Sequence, residues 1–245
     1  MRHFTLNQTI VAVSTALVFA LGGCRDERDP ILPPGPEAAG REYFPLAVGH
    51  FWEYDVEEHH WGFNRDSVIH FQFRERVDTV YPGATGETTY HIVRSRRADS
   101  LSTWREDSAR DVVVTLELIR RTIANVPTIE LLFPVAEGKG WNPNLFNAAD
   151  STTRTYGQVG AALLLPSGRR FDRTLCVVDV PQLSAVQRRE QEAAYAWNIG
   201  CVYRRRRLLD YCNQSDVNQG LCQLGSGYIV RGFEREEQLR AWGPR

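Results

Sequence analysis

Lysine and methionine are almost missing from this chain. Lys139 and Met1 are the only ones in 245 residues, so nearly all of the positive charge is carried by arginine. That skew reads as genomic base composition and points to no particular chemistry. No histidine follows His91, and no pair of cysteines has the C-x-x-C spacing, which argues against zinc at the cysteines. There is no G-x-S-x-G elbow for a serine nucleophile and no Walker loop, and Gly225-Ser226-Gly227 reads as a hairpin turn. An excess of one charge sign is also missing. With 29 basic and 30 acidic side chains, the net charge is -1, and no bulk field favours nucleic acid as a partner.

The charge-free apolar run Ile10 to Leu21 is too short to span a bilayer as a helix, yet long enough for a secretory signal core behind the positive head Arg2-His3. It ends in Leu21-Gly22-Gly23-Cys24, which resembles the lipobox of bacterial lipoproteins. The resemblance implies removal of residues 1–23 as a signal peptide and lipidation of Cys24, so that the membrane is a partner through the N-terminal lipid. The residue after the cysteine is Arg25, not the aspartate of an inner-membrane retention signal, which favours the outer membrane. Residues 24–42 then form a tether with Pro30, Pro33, Pro34 and Pro36, able to extend to about 50 Å at roughly 3 Å per residue. A β-rich globular domain is expected over residues 43–245.

With Cys24 assigned to lipid, Cys176, Cys201, Cys212 and Cys222 remain, an even number in an exported chain. Two disulfides are the simplest reading, and four cysteines allow three connectivities. Cys212 with Cys222 is favoured because they bracket a polar loop with little else to hold it. Cys176 with Cys201 is then the second pair.

From Tyr43 onward the dominant sequence period is two. Trp52, Tyr54 and Val56 share one face of a strand; Ile69, Phe71, Phe73 and Val77 share one face of a longer strand, with only Glu75 out of pattern. A turn near Pro82 to Gly86 is expected to pair Tyr81 with Glu87, and Thr89 to Arg96 returns. Val112 to Ile119 and Ile129 to Phe133 are the most apolar runs and are expected at the centre of the sheet. Arg173 to Val180, Cys201 to Leu209 and Tyr228 to Phe233 add further strands. Gln182 to Trp197, behind Pro181, is rich in Ala, Gln and Glu and predicts the one short helix. The fold class expected is mainly antiparallel β, as a curved sheet or open barrel.

Two related halves are one way to build such a sheet, because FPLAVGHFW at Phe44–Trp52 and FPVAEGKGW at Phe133–Trp141 share F-P-[LV]-A-x-G-x-x-W. Proline fixes the approach, glycine permits the turn, and tryptophan anchors the next strand. Tyr43-Phe44-Pro45-Leu46, Gly49, Trp52 and Tyr54, with the second element and Ala194 to Tyr203, also resemble uncharacterised bacterial envelope lipoproteins that open with Y-[FY]-P-L-x-x-G-x-x-W-x-Y. This resemblance implies a lipid-anchored β-rich domain and transfers no catalytic residues.

Candidate chemistry is sparse. His70 and His91 are too far apart along their strands to share an ion, and a polar turn before Trp61 accounts for His59 and His60 as well as a metal would. No metal or cofactor is expected. The run Arg204–Arg207 alternates between two faces and reads as a solvated edge strand in preference to an anion site. Adjacent carboxylates such as Glu57-Glu58 and Glu236-Glu237 diverge on a strand, so they do not make an acid/base pair. The expectation is a lipid-anchored envelope protein, not an enzyme, with a binding or structural role toward an envelope protein, glycan or lipid ligand. Carriage of a hydrophobic ligand in a concave sheet is the alternative, and an envelope hydrolase ranks third.

Overall fold

The computed structural model describes residues 39–62, 65–83 and 86–244. The expected signal peptide, Cys24 and most of the expected tether lie outside them. The last tether residues do not hang free: Ala39 accepts a backbone hydrogen bond from Val135, and Glu42 accepts one from Asn198. A single 3-10 turn, Arg41–Tyr43, delivers the chain to the first strand.

The strands are β1 (Phe51–Gly62), β2 (Arg65–Pro82), β3 (Thr88–Arg97), β4 (Arg105–Val114), β5 (Leu118–Ile123) and β6 (Val126–Leu132). After them come β7 (Gly140–Trp141), β8 (Arg154–Leu164), β9 (Arg170–Asp179), β10 (Gln182–Leu183), β11 (Gln187–Ala196), β12 (Gly200–Tyr211) and β13 (Ile229–Gly243). All pair antiparallel in one sheet ordered β6-β5-β4-β3-β2-β1-β13-β12-β11-β9-β8-β7, with β10 added to β11. The sheet is thus two consecutive meanders joined by the β1–β13 ladder. Its two ends also meet: Ile129 N–H bonds Pro143 C=O at 2.9 Å, and the Tyr156 hydroxyl exchanges hydrogen bonds with both backbone groups of Leu132 at 2.8 and 3.0 Å. The result is a nearly closed, barrel-like sheet.

The repeated nonapeptide builds two equivalent corners. Gly49 and Gly138 both have positive φ, 89° and 73°, where a side chain would be strained. Gly49 donates to Val77 while Val77 donates back to His50; Gly138 donates to Tyr156 while Tyr156 donates back to Lys139. Trp52 and Trp141 follow in the core, each donating its indole N–H to a backbone carbonyl, Ile199 and Ile129 respectively. These corners open the two meanders at corresponding points.

Several expectations need correction. Gln187 to Ala196 is strand β11, not helix. Helix composition is outweighed by position between β9 and β12, where outward Glu190 and Glu192 pair across the strand with Arg207 and Arg205. A short helix lies further on, α1 (Gln214–Asn218), started by a capping box in which the Asn213 side chain accepts from Ser215 and Asp216 N–H and Asp216 accepts from Asn213 N–H. The hairpin after β2 pairs Tyr81 with Thr89, so His91 faces Thr79 and lies still further from His70. Finally, the apolar runs around Val112–Ile119 and Ile129–Phe133 are not central in the sheet order. A turn at residues 115–117 splits the first, and β6 is a terminal strand buried because it seals against the other end.

The disulfide Cys212–Cys222 is formed, with a Cα–Cα distance of 6.0 Å, and it closes the loop holding α1. The pairing Cys176–Cys201 is contradicted, since both are free thiols. Cys176 on β9 faces Ala194, and Cys201 on β12 faces Tyr195. Successive residues of β11 point to opposite sides of the sheet, so the two sulfurs lie on opposite faces with a strand between them.

Candidate functional site

Strand alternation sends Trp52, Tyr54, Val56, Phe71 and Phe73 to the concave face, where Tyr54 stacks on Phe73 with centroids 4.7 Å apart. Phe44 and Tyr195, then Trp141 and Tyr156, extend this aromatic packing. It leaves little room: the void bounded by Phe44, Trp52, Tyr54 and Ile92 is about 10 Å³, at the lower limit for one water.

The neighbouring part of the same concave face is charged. A pocket of about 290 Å³ is lined by Arg94, Arg110, Arg121, Arg154, Arg204, Arg206 and Arg235 from inward-facing positions of six strands. Arg204 sits opposite Glu237, and Arg206 sits directly opposite Arg235. The expected solvated edge strand is therefore corrected: β12 lies between β11 and β13, and Arg204 points into the barrel. Arg205 and Arg207 point outward and share Glu234 at 2.9 and 2.7 Å.

Glu75, the residue out of pattern on β2, anchors the charged layer. It is 2% exposed and accepts from Arg110 at 2.5 Å, with Arg121 and Arg204 at 3.6 and 3.8 Å. Burial alone would raise its carboxyl pKa, but the surrounding Arg110, Arg121, Arg204 and Arg94 outweigh that and hold it far below the usual carboxylate range. Glu130 likewise is buried against Arg121, Arg204 and Arg154, takes a 2.6 Å hydrogen bond from the Tyr195 hydroxyl, and is held at about 2. Arg154 grips Asp179 with two hydrogen bonds of 2.5 and 3.0 Å. Arg235 bridges Glu58 at 3.0 Å and Glu237 at 2.6 Å.

The carboxylates reaching these seven arginines are Glu58, Glu75, Asp107, Glu130, Asp179 and Glu237. Among the described residues, neither Arg206 nor Arg96 has a carboxylate within ion-pair distance; both are exposed, and Arg96, opposite Phe73 on the same face, lines a separate cleft with Ile69 and Ser102. The pocket therefore holds one more inward guanidinium group than carboxylates reaching it. Three arginines of this face lie over the phenyl rings of β2: Arg94 is 4.2 Å from the Phe73 centroid, while Arg96 and Arg235 are 3.6 and 5.4 Å from that of Phe71. Ring contact stabilises the cations and leaves N–H donors unused. The buried Nε atoms of Arg94, Arg110 and Arg121 and Nη2 of Arg204 and Arg235 donate no hydrogen bond.

The histidines lie elsewhere. His59 and His60 belong to β1 and not to a turn; His59 stacks on Trp61 at 3.7 Å and His60 bonds Glu58 at 3.1 Å. His91 bonds Asp111 at 2.9 Å. Among the described residues, no group of three or more His, Cys, Asp or Glu side chains is placed to hold a metal ion. Glu57 and Glu236 face outward while Glu237 faces in, so the adjacent carboxylates diverge as the alternation requires.

No known protein family and no curated protein matches the chain. Two crystal structures are similar in shape. One is a "putative exported protein with YmcC-like fold" from Bacteroides fragilis, at 10% identity and a TM-score of 0.44 over 82% of this chain and 98% of that one. The other is a "putative lipoprotein" from Parabacteroides distasonis, at 9% identity and 0.37 over 81% of this chain and 98% of that one. Likenesses this weak bear no argument about what the chain does.

Proposed function

We propose that this chain is a lipid-anchored protein of the bacterial cell envelope, held at the outer membrane through Cys24, and that it binds a ligand on its concave face without catalysing a reaction. The anchor rests on the Leu21-Gly22-Gly23-Cys24 sequence and on Arg25 after it. The observation that carries the binding role is the protonation behaviour of the pocket. General acid or base catalysis works best with a group that titrates near the working pH. In the pocket lining Glu130 is pushed down and burial pushes Tyr195 up, while in the core beside it Glu75 is pushed down, Tyr54 is pushed up and burial raises the Cys201 thiol to about 11. Such a set can present fixed charge and hydrogen bonds but is poorly suited to passing a proton. The filled aromatic layer and the charged pocket also favour a polar ligand over the hydrophobic one considered as an alternative.

The anchor is tested by replacing Cys24 with serine and fractionating cells. The variant is expected in the soluble envelope fraction; the same tight membrane association as the parent would contradict the reading.

A further inference from the structure

The ligand can be narrowed to a chemical class, an inference that rests on the binding role just proposed. At the pocket Arg206, exposed to solvent and without a carboxylate partner among the described residues, is paired across the ladder with another arginine, Arg235. Like charges directly opposite on a ladder are destabilising. The buried unused donors of Arg94 and Arg235 add a further penalty. Arg94 reports the same imbalance: burial, then repulsion from Arg235 and Arg110, lowers its pKa to about 10 despite Glu75 and Glu237 nearby. A surface chosen for stability alone would place a carboxylate beside Arg206. The cavity of about 290 Å³ leaves space there for a small charged group.

We infer that this pocket binds a phosphoryl dianion, gripped by Arg94, Arg206 and Arg235. The planar donor forks of these guanidinium groups suit its tetrahedral oxygens. The ring faces of Phe71 and Phe73 hold the arginine stems in register and leave their edges for the anion. The same chemistry is offered by free phosphate and by the headgroup of an anionic lipid.

The experiment is isothermal titration calorimetry on the full chain in neutral detergent at low salt, with three probes: inorganic phosphate, dihexanoyl phosphatidic acid and uncharged chitotriose. Saturable binding of both phosphorylated probes supports recognition of the phosphoryl group alone, and binding of phosphatidic acid only assigns the lipid as source. Binding of phosphate only assigns the free ion. Arg206→Ala is expected to weaken binding about tenfold, the loss of one charge-assisted contact. Arg207→Ala, on the outer face and outside the pocket lining, is expected to change nothing. Circular dichroism of both variants, and a second substitution, Arg206→Gln, separate loss of contact from loss of fold. Binding of chitotriose alone would overturn the dianion and leave a binding role standing. Absence of saturable binding by any probe, or undiminished affinity in folded Arg206→Ala, would also overturn the inference, while the Cys24 anchor is read out separately.

Discussion

The barrel encloses two adjoining layers made by opposite means. In the aromatic layer Trp52, Tyr54, Phe73 and Tyr195 fill the space between strands, and each polar tip has a partner: Tyr54 donates to Cys201 C=O at 2.9 Å and Tyr195 to Glu130 at 2.6 Å. In the arginine layer, charges outnumber their partners and donors go unused. Hydrophobic filling stabilises the fold directly, whereas buried ion networks seldom gain more than desolvation takes away. The contrast teaches that the first layer holds the sheet closed and the second is kept for what it can bind.

If that division is right, the largest loss of stability comes from the aromatic layer. Trp52→Ala empties a buried site beside Tyr54 and removes the indole bond to Ile199, and should lower the unfolding free energy by about 3–5 kcal/mol in urea titration. Loss of less than about 1 kcal/mol would mean that the corner, not the packing, sets closure.

Glu75 is the exception within the charged layer, since it is the shared counter-ion of Arg110, Arg121 and Arg204. Glu75→Gln should cost about 3 kcal/mol, because it leaves buried guanidinium groups uncompensated. The acid limb of stability follows from the same residue and Glu130. Both carboxyls titrate lower in the folded than in the unfolded chain, so their contribution is complete above about pH 5 and declines as the pH falls through about 4.5 toward 2. Thermal unfolding against pH should show this limb, weakened in Glu75→Gln. An unchanged limb would remove Glu75 from its anchoring role.

Much of the fold was legible because it is local. Period-two alternation marks β1, β2 and β3, and the F-P-[LV]-A-x-G-x-x-W repeat marks two corners whose hydrogen bonds turn out equivalent. The bracketed loop between Cys212 and Cys222 was legible too. Misreadings arose where partners are distant. The composition of Gln187–Ala196 suits a helix until Arg205 and Arg207 are set beside Glu192 and Glu190. The second half of β13, charged from Glu234 to Glu237, does not look like a strand until the arginines of β12 lie opposite. The arginine layer was hidden for the same reason, since Arg204 and Glu75, far apart in sequence, meet only inside the nearly closed sheet. One signal was present: Glu75 interrupts an otherwise apolar strand face, and a lone carboxylate among Phe71, Phe73 and Val77 calls for cations from elsewhere.

The division between layers is tested most directly at Arg94, whose nearest carboxylate, Asp107, is 3.7 Å away and partly exposed. Arg94→Met keeps the length of the side chain and its contact with Phe73 while removing a poorly compensated charge. Urea unfolding without added phosphate should show the variant as stable as the parent, or more stable by about 1 kcal/mol. A loss of about 3 kcal/mol or more would show Arg94 to be part of what holds the barrel together and would contradict the account.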